Sequence, residues 1–382
     1  MRTKQILNTG PNGRDMLISY PNSVAFMYSP QLVKVRCTDS DDPGALMVAV
    51  GLTHLDSGAS HVERRTLYNG EATFDLSRIL QLLAPDVDTL FQRLDNTPGA
   101  TLSEHFKLSI EYNDDDWHWL LENERLTVMH GALDQGETYG GSSQRRLYMN
   151  LPQTFNLWGD EGYEPGFIVD GVWVWPYILH QPATCYESNL IQAMQVQFGD
   201  LRKVFPEGIR KDIQLTWRSG IKAGRETAQN LRTVTLVPDY RTTDDGTYLR
   251  WLNRRGEVSY GLFTNSQIRV AAAANETFSR YYANDPSEPE AGSYINPQKA
   301  DFSEEREMVL GAVGLSYDEY LDMCDLATSP LVERLTPDSD QTIWQRVNVA
   351  AGTFERNIRR NTPSLQDLEF IIRLPKRNTI KL

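Results

Sequence analysis

His54, His61, His105, His118, His130 and His180 are the six imidazoles of this chain. A metal hydrolase needs two of them one helical turn apart around a glutamate, so that both ring nitrogens reach one cation. No pair has that spacing. Asp114-Asp115-Asp116-Trp117-His118-Trp119 sets three carboxylates before an imidazole, a composition that could ligate calcium or magnesium. A calcium loop, however, spreads its ligands over alternating positions around a glycine and ends on a glutamate. The run has neither, and a solvated turn is the competing reading. Gly136-Glu137-Thr138-Tyr139-Gly140-Gly141-Ser142-Ser143 is glycine-rich but lacks the Gly-Lys-Ser/Thr of a phosphate cradle and a strand-helix context. No G-x-S-x-G elbow occurs. Carboxylates from distant strands could still meet as a glycosidase pair, which spacing along a chain does not reveal. The expectation is therefore no catalytic residue, no metal and no cofactor.

Aromatic residues are the remaining source of chemistry. In Val172-Trp173-Val174-Trp175-Pro176-Tyr177, strand alternation puts Trp173, Trp175 and Tyr177 on one face and the valines on the other. Both faces are apolar, so the strand is sandwiched between layers, covered by another chain, or used as a sugar-stacking platform. Arg250 is the one charge among apolar positions in Tyr248-Leu249-Arg250-Trp251-Leu252. Trp173, Trp175, Tyr177 and Arg250 are accordingly the candidate interface or glycan-contact residues.

The elements that must position these residues read as strands. Phe106, Leu108, Ile110 and Tyr112 alternate with Lys107, Ser109 and Glu111, the pattern of a half-buried strand. The same period recurs at Val33–Cys37, Ile213–Trp217 and Leu368–Leu374. Thr247–Phe263 reads as a hairpin turning through Asn253–Gly256. Two helices interrupt the pattern. One runs from Asp75 as cap to Pro85 as stop, and the other opens on a capping box, Ser316 with Glu319.

The chain of 382 residues exceeds one comfortable core, which predicts two or three domains, and two are placed here. The fold class is mainly β, with two antiparallel β-sandwich-like domains and a few short helices. They are placed at 1–187, an N-terminal β domain, and 188–382, a C-terminal β-rich domain carrying a capped helix near 316–326. The boundary lies near Cys185–Asn189, where the aromatic strand gives way to polar sequence. With 38 Lys plus Arg against 51 Asp plus Glu, the net charge of −13 repels phosphate backbones and anionic lipid, so nucleic acid is not an expected partner. The apolar run Gly171–Leu179 is too short to span a bilayer, and no apolar segment follows the charged N-terminus. A soluble protein made in a cytoplasm is expected, without membrane insertion. Cys37, Cys185 and Cys324 are odd in number and widely spaced, as reduced thiols would be.

Asp245–Tyr260, with its Tyr-Leu-Arg-Trp arm, glycine turn and following aromatic arm, is similar to a hairpin of structural proteins from tailed phages and prophages of gut Bacteroidetes. Further segments resemble that family in the same order. They are Tyr68–Gln81, His130–Glu137 with Asn150–Phe155, Ser329–Val332, Trp344–Val349 and Leu365–Pro375. The similarity touches most of the chain, from about Tyr20 to Pro375, and its weight lies in the shared order. It implies a virion component of tail or baseplate, located in the particle after assembly in the host bacterial cytoplasm. That component is a homo-oligomer contacting other virion proteins through β surfaces, and no catalytic residue is carried over. Gly261 departs from the pattern, which often has a large residue there. A carbohydrate-binding adhesin of the same particle, touching a host surface glycan through Trp173, Trp175 or the Trp117/Trp119 face, is the alternative; a glycan hydrolase is a third.

Overall fold

The structure, a computed structural model, describes residues 1–9, 14–22, 24–38, 46–96, 102–132, 144–158, 163–169, 172–174, 191–196, 213–219, 230–281, 295–337, 342–350 and 366–374. The fold is mainly β, built largely of antiparallel pairs with short helices between them. By its contacts the chain divides into two units. The first comprises Met1–Thr242, Trp251–Tyr260 and Thr328–Leu331; the second comprises Thr243–Arg250, Gly261–Ala327 and Val332–Leu382. The segment expected to hold the boundary, Cys185–Asn189, lies outside the described residues. The first unit runs unbroken to Thr242, and the hairpin contributes residues to both units.

In the first unit the strands are β1 (Arg2–Thr9), β2 (Arg14–Tyr20), β3 (Val24–Phe26), β4 (Leu32–Cys37), β5 (Met47–His54), β6 (Ser60–Thr66) and β7 (Glu71–Asp75). After helices α1 (Ser77–Leu83) and α2 (Leu90–Asn96) come β8 (Ser103–Asp114) and β9 (Asp116–Met129). They form two sheets, in the orders β1-β2-β4-β7 and β3-β9-β8-β5-β6. Alternation decides which side chains meet between the sheets. Met16, Ile18, Val33, Val35 and Phe74 of one sheet share a core with Val50, Leu52, Phe106, Leu108, Ile110 and Tyr112 of the other. Each such side chain, removed from water, contributes about 1.5–3 kcal/mol. Two sheets facing one core make this part of the first unit a sandwich. Cys37, on that inner face, and Cys324 are buried. Asp75 accepts the Ser77 amide (3.0 Å) at the start of α1, and Ala84 turns extended just ahead of Pro85.

The chain continues through β10 (Gln144–Tyr148), β11 (Gln153–Trp158), β12 (Tyr163–Val169), β13 (Val172–Val174), β14 (Ile191–Val196), β15 (Ile213–Ser219) and β16 (Asn230–Asp239). A five-stranded sheet runs β10-β16-β15-β12-β13, in which β10 and β16 are parallel, and β11 pairs with β14.

The remaining strands are β17 (Thr247–Leu252), β18 (Val258–Phe263), β19 (Asn265–Tyr281) and β20 (Ile295–Leu315), followed by helix α3 (Tyr317–Cys324) and then β21 (Val332–Pro337), β22 (Thr342–Arg346), β23 (Asn348–Val349) and β24 (Gln366–Arg373). Their sheets run β18-β17-β21-β22 and β19-β20-β24-β23. The α3 capping box forms as the sequence predicts: Ser316 Oγ accepts the Glu319 amide, and Glu319 Oε2 accepts the Ser316 amide at 2.9 Å.

Candidate functional site

The hairpin turn is built by Asn253. Its Oδ1 accepts the amides of Arg255 (2.9 Å) and Glu257 (3.0 Å), and its Nδ2 donates to Ser259 Oγ at 3.0 Å. Gly256 takes φ +74°, a left-handed conformation that favours glycine. Around this tip, Leu252 and Val258 join Leu90, Phe91 and Leu94 of α2 in one apolar cluster. Glu257 is fully buried and forms an ion pair with Arg145 of β10.

Arg250 lies on the arm leading to the tip, and only 3% of its surface is exposed. Its Nε donates to Glu333 Oε2 at 2.8 Å, its NH2 is 2.6 Å from the same oxygen, and its guanidinium carbon sits 4.2 Å from the centroid of the Trp344 ring. Tyr248, on the same face of β17, meets Trp344 at 5.8 Å. The expectation that Arg250 contacts a glycan or a neighbouring subunit is corrected by this burial. Its charge is turned inward onto β21 and β22. Trp173 belongs to β13, where it pairs with Ile168, and its side chain lies outside what the structure describes. Trp175 and Tyr177 lie outside the described residues, as does the glycine-rich loop 136–143.

The acidic run does not converge on a cation. Asp114 faces Arg14 at 3.5 Å, Asp115 turns the chain with φ +70°, and His118 lies against Tyr112 at 5.4 Å. A different cluster does converge, and no local sequence signal marks it. At one end of the β5-β8-β9 sheet, Glu104 is wholly buried among His54, His130 and Arg93. Arg93 donates to Oε1 at 2.6 Å, His130 Nε2 is 3.3 Å from Oε1, and His54 Nε2 is 3.1 Å from Oε2. His54 Nδ1 accepts the Ser57 amide at 3.3 Å and lies 2.8 Å from Ser57 Oγ. The order Ser57, His54, Glu104 resembles an acyl-transfer relay. Here, though, Ser57 Oγ accepts the Ala59 amide at 3.2 Å and the Gly58 amide donates to the His54 carbonyl at 2.9 Å. The hydroxyl and the amides of Ser57, Gly58 and Ala59 are committed to closing the turn. His54, Asp56 and Glu104 also offer ligand atoms within 4.8 Å of one another. Both Glu104 oxygens are already engaged, and the Arg93 charge opposes a second cation. The arrangement is a charged, hydrogen-bonded network on Glu104 that ties β5, β8, the residue after β9 and α2 together.

Burial alone would raise the Glu104 pKa; hydrogen bonds from His130 and Arg93, with their charge, outweigh it and bring the value from 4.5 down to about 2. Because the folded value is depressed, the stabilisation is complete above about pH 4.5 and is lost as the pH falls toward 2. The difference corresponds to about 3 kcal/mol at neutral pH. Urea midpoints of wild type and Glu104→Gln, measured from neutral pH down to about pH 3, are expected to converge as the acid range is entered. Parallel curves would show that Glu104 does not titrate in this way.

The second unit carries the longest pair of strands among the described residues. β19 and β20 pair without interruption from Asn265↔Gly311 to Tyr281↔Ile295, apart from a bulge near Glu276. β24 covers β20 only as far as Glu307↔Arg373, with Leu374 donating to the Arg306 carbonyl. Beyond that point Val270–Tyr281 and Ile295–Arg306 form a two-stranded ribbon, with no third strand among the described residues. At about 3.3 Å per residue it is roughly 40 Å long. The apolar face of the sheet, made by Met308, Leu310, Phe370 and Ile372, continues in register to Ile268 and Val270, which are 51% and 56% exposed. An aliphatic stripe therefore runs off the core into solvent.

Set against known protein families and curated proteins, the chain matches none of either.

Proposed function

We propose that the protein is a structural component of a tailed-phage virion, of tail or baseplate, that assembles as a homo-oligomer and with other virion proteins through its β surfaces. The observation that supports this reading is the β19-β20 ribbon. A two-stranded ribbon is marginal on its own in water and exposes backbone donors and acceptors along its edges. Ile268 and Val270 add uncovered aliphatic surface at its root. A neighbouring subunit that adds a strand or lays an apolar face there satisfies both needs at once. The order of motifs resembling phage structural proteins supplies the particle in which this would happen.

The test is to replace residues 272–303 by a two-residue turn and compare oligomeric state by light scattering. Wild type is expected to form a defined multimer and the shortened protein to remain folded but monomeric. Mass spectrometry of stripped particles should find the protein at a fixed copy number. A wild type that stays monomeric at high micromolar concentration and is missing from particles would overturn the proposal.

A further inference from the structure

The outer face of the β3-β9-β8-β5-β6 sheet, opposite the core of the first unit, carries a group of residues that the core does not explain. Strand register sets them in two rows. Trp119 stands opposite Glu111, which neighbours Ala49 and then Arg64; Trp117 stands opposite Asn113, which neighbours Met47 and then Thr66. Trp119 is 52% exposed and Trp117 37%. Ala49, short-chained, lies between Glu111 and Arg64 in the Trp119 row, and Arg64 reaches across to place its guanidinium carbon 5.7 Å from the Trp117 centroid. Among the described residues Arg64 has no carboxylate within ion-pair distance.

From this juxtaposition we propose that the face binds a neutral oligosaccharide. A pyranose ring presents C–H groups on its flat side, which stack on an indole, and hydroxyls around its rim, which need donors and acceptors beside that indole. The rows supply both: each tryptophan has a polar side chain directly across the strand, Glu111 as acceptor for Trp119, Asn113 as donor and acceptor for Trp117. Arg64 adds donors on the far side of the trough. Charge complementarity selects the ligand's class. In these two rows Arg64 is offset by Glu111, two strands away in its own row and not in ion-pair contact with it, and Asp115 and Asp116 adjoin Trp117 at the turn, so an acidic glycan or a phosphate polymer meets repulsion beside the indoles. A protein partner would favour a dry apolar centre, whereas here every aromatic is interleaved with a polar group. The site lies wholly in the first unit and does not depend on assembly, so a monomeric protein would still bind.

Affinity electrophoresis through gels containing laminarin, xylan or dextran, with alginate and a single-stranded oligonucleotide as charged comparisons, tests the assignment. At least one neutral polysaccharide is expected to retard the wild type. Trp119→Ala should weaken that retardation about tenfold or more with an unchanged circular dichroism spectrum, and Trp119→Phe should retain most of it. Arg64→Gln should weaken binding to a smaller degree. Retardation by none of the neutral polymers, retardation only by alginate or the oligonucleotide, or a Trp119→Ala protein that binds like wild type would each overturn the proposal.

Discussion

Replacing Gly131 by alanine is expected to destabilise the protein by about 2–4 kcal/mol, visible as a lowered urea midpoint. A methyl group at Gly131 would lie 2.7 Å from the Arg254 carbonyl oxygen, 2.8 Å from the Gly256 nitrogen and 2.9 Å from the Arg255 carbonyl carbon. All three are backbone atoms of the hairpin turn, so no side chain can swing aside. The turn itself must withdraw. Withdrawal breaks the hydrogen bond from the Ala132 amide to the Arg254 carbonyl (2.6 Å) and strains the Arg145–Glu257 ion pair. It also loosens Leu252 and Val258 from Leu90, Phe91 and Leu94. Gly51→Ala is the control: its added carbon would be in ordinary contact, 3.6 Å from Val62, and is expected to shift the midpoint little. Equal midpoints for the two variants would refute the close-approach account.

This close approach shows what the sequence conveys and what it withholds. The hairpin itself is legible, because alternation and an Asn-to-Gly turn are local properties of Thr247–Phe263. So are the strands around Val33, Phe106, Ile213 and Leu368, and the Ser316–Glu319 capping box. Each is determined by residues within a few positions of one another. The helix Leu90–Asn96 is not legible, since a seven-residue segment with three buried positions carries little periodicity and gains its order from the hairpin tip. The Glu104 network is hidden for the same physical reason. His54 is 50 residues before Glu104 and His130 is 26 after it, and only the pairing of β5, β8 and β9 brings them together.

The candidate sites show the same limit in another form. Period-2 alternation correctly separates the faces of a strand, but it does not say which face meets solvent. In Tyr248-Leu249-Arg250-Trp251-Leu252 the single charge suggested an interface or glycan contact, yet every position from Tyr248 to Leu252 is buried. In Trp117-His118-Trp119 the alternation was equally plain, and there it leaves two indoles in solvent. The difference lies in the neighbouring strands: β21 and β22 bring Glu333 and Trp344 to Arg250, while β5 sets Ala49 and the half-exposed Met47 in the rows of Trp119 and Trp117. Such partners belong to the sheet order, not to the segment.

Arg250→Ala is expected to cost about 3–5 kcal/mol, the range found when one member of a buried ion pair is removed. The loss has two parts. Glu333, itself buried, would keep its charge without the two nitrogen contacts at 2.8 and 2.6 Å. Trp344 would lose the guanidinium plane beneath its ring and leave Tyr248 as its aromatic neighbour on β17. Pairing the change with Glu333→Leu separates the parts. In Arg250→Met/Glu333→Leu no charge is stranded and the volume is largely kept, so most of the lost stability should return, with a coupling of several kcal/mol in the double-mutant cycle. Arg250→Lys should recover only part, because an ammonium cannot both stack on Trp344 and hold Glu333 through two nitrogens. An Arg250→Ala protein as stable as wild type would mean that the pair is not formed. Loss of multimerisation by that variant at unchanged stability would instead return Arg250 to the assembly surface, against the burial seen here.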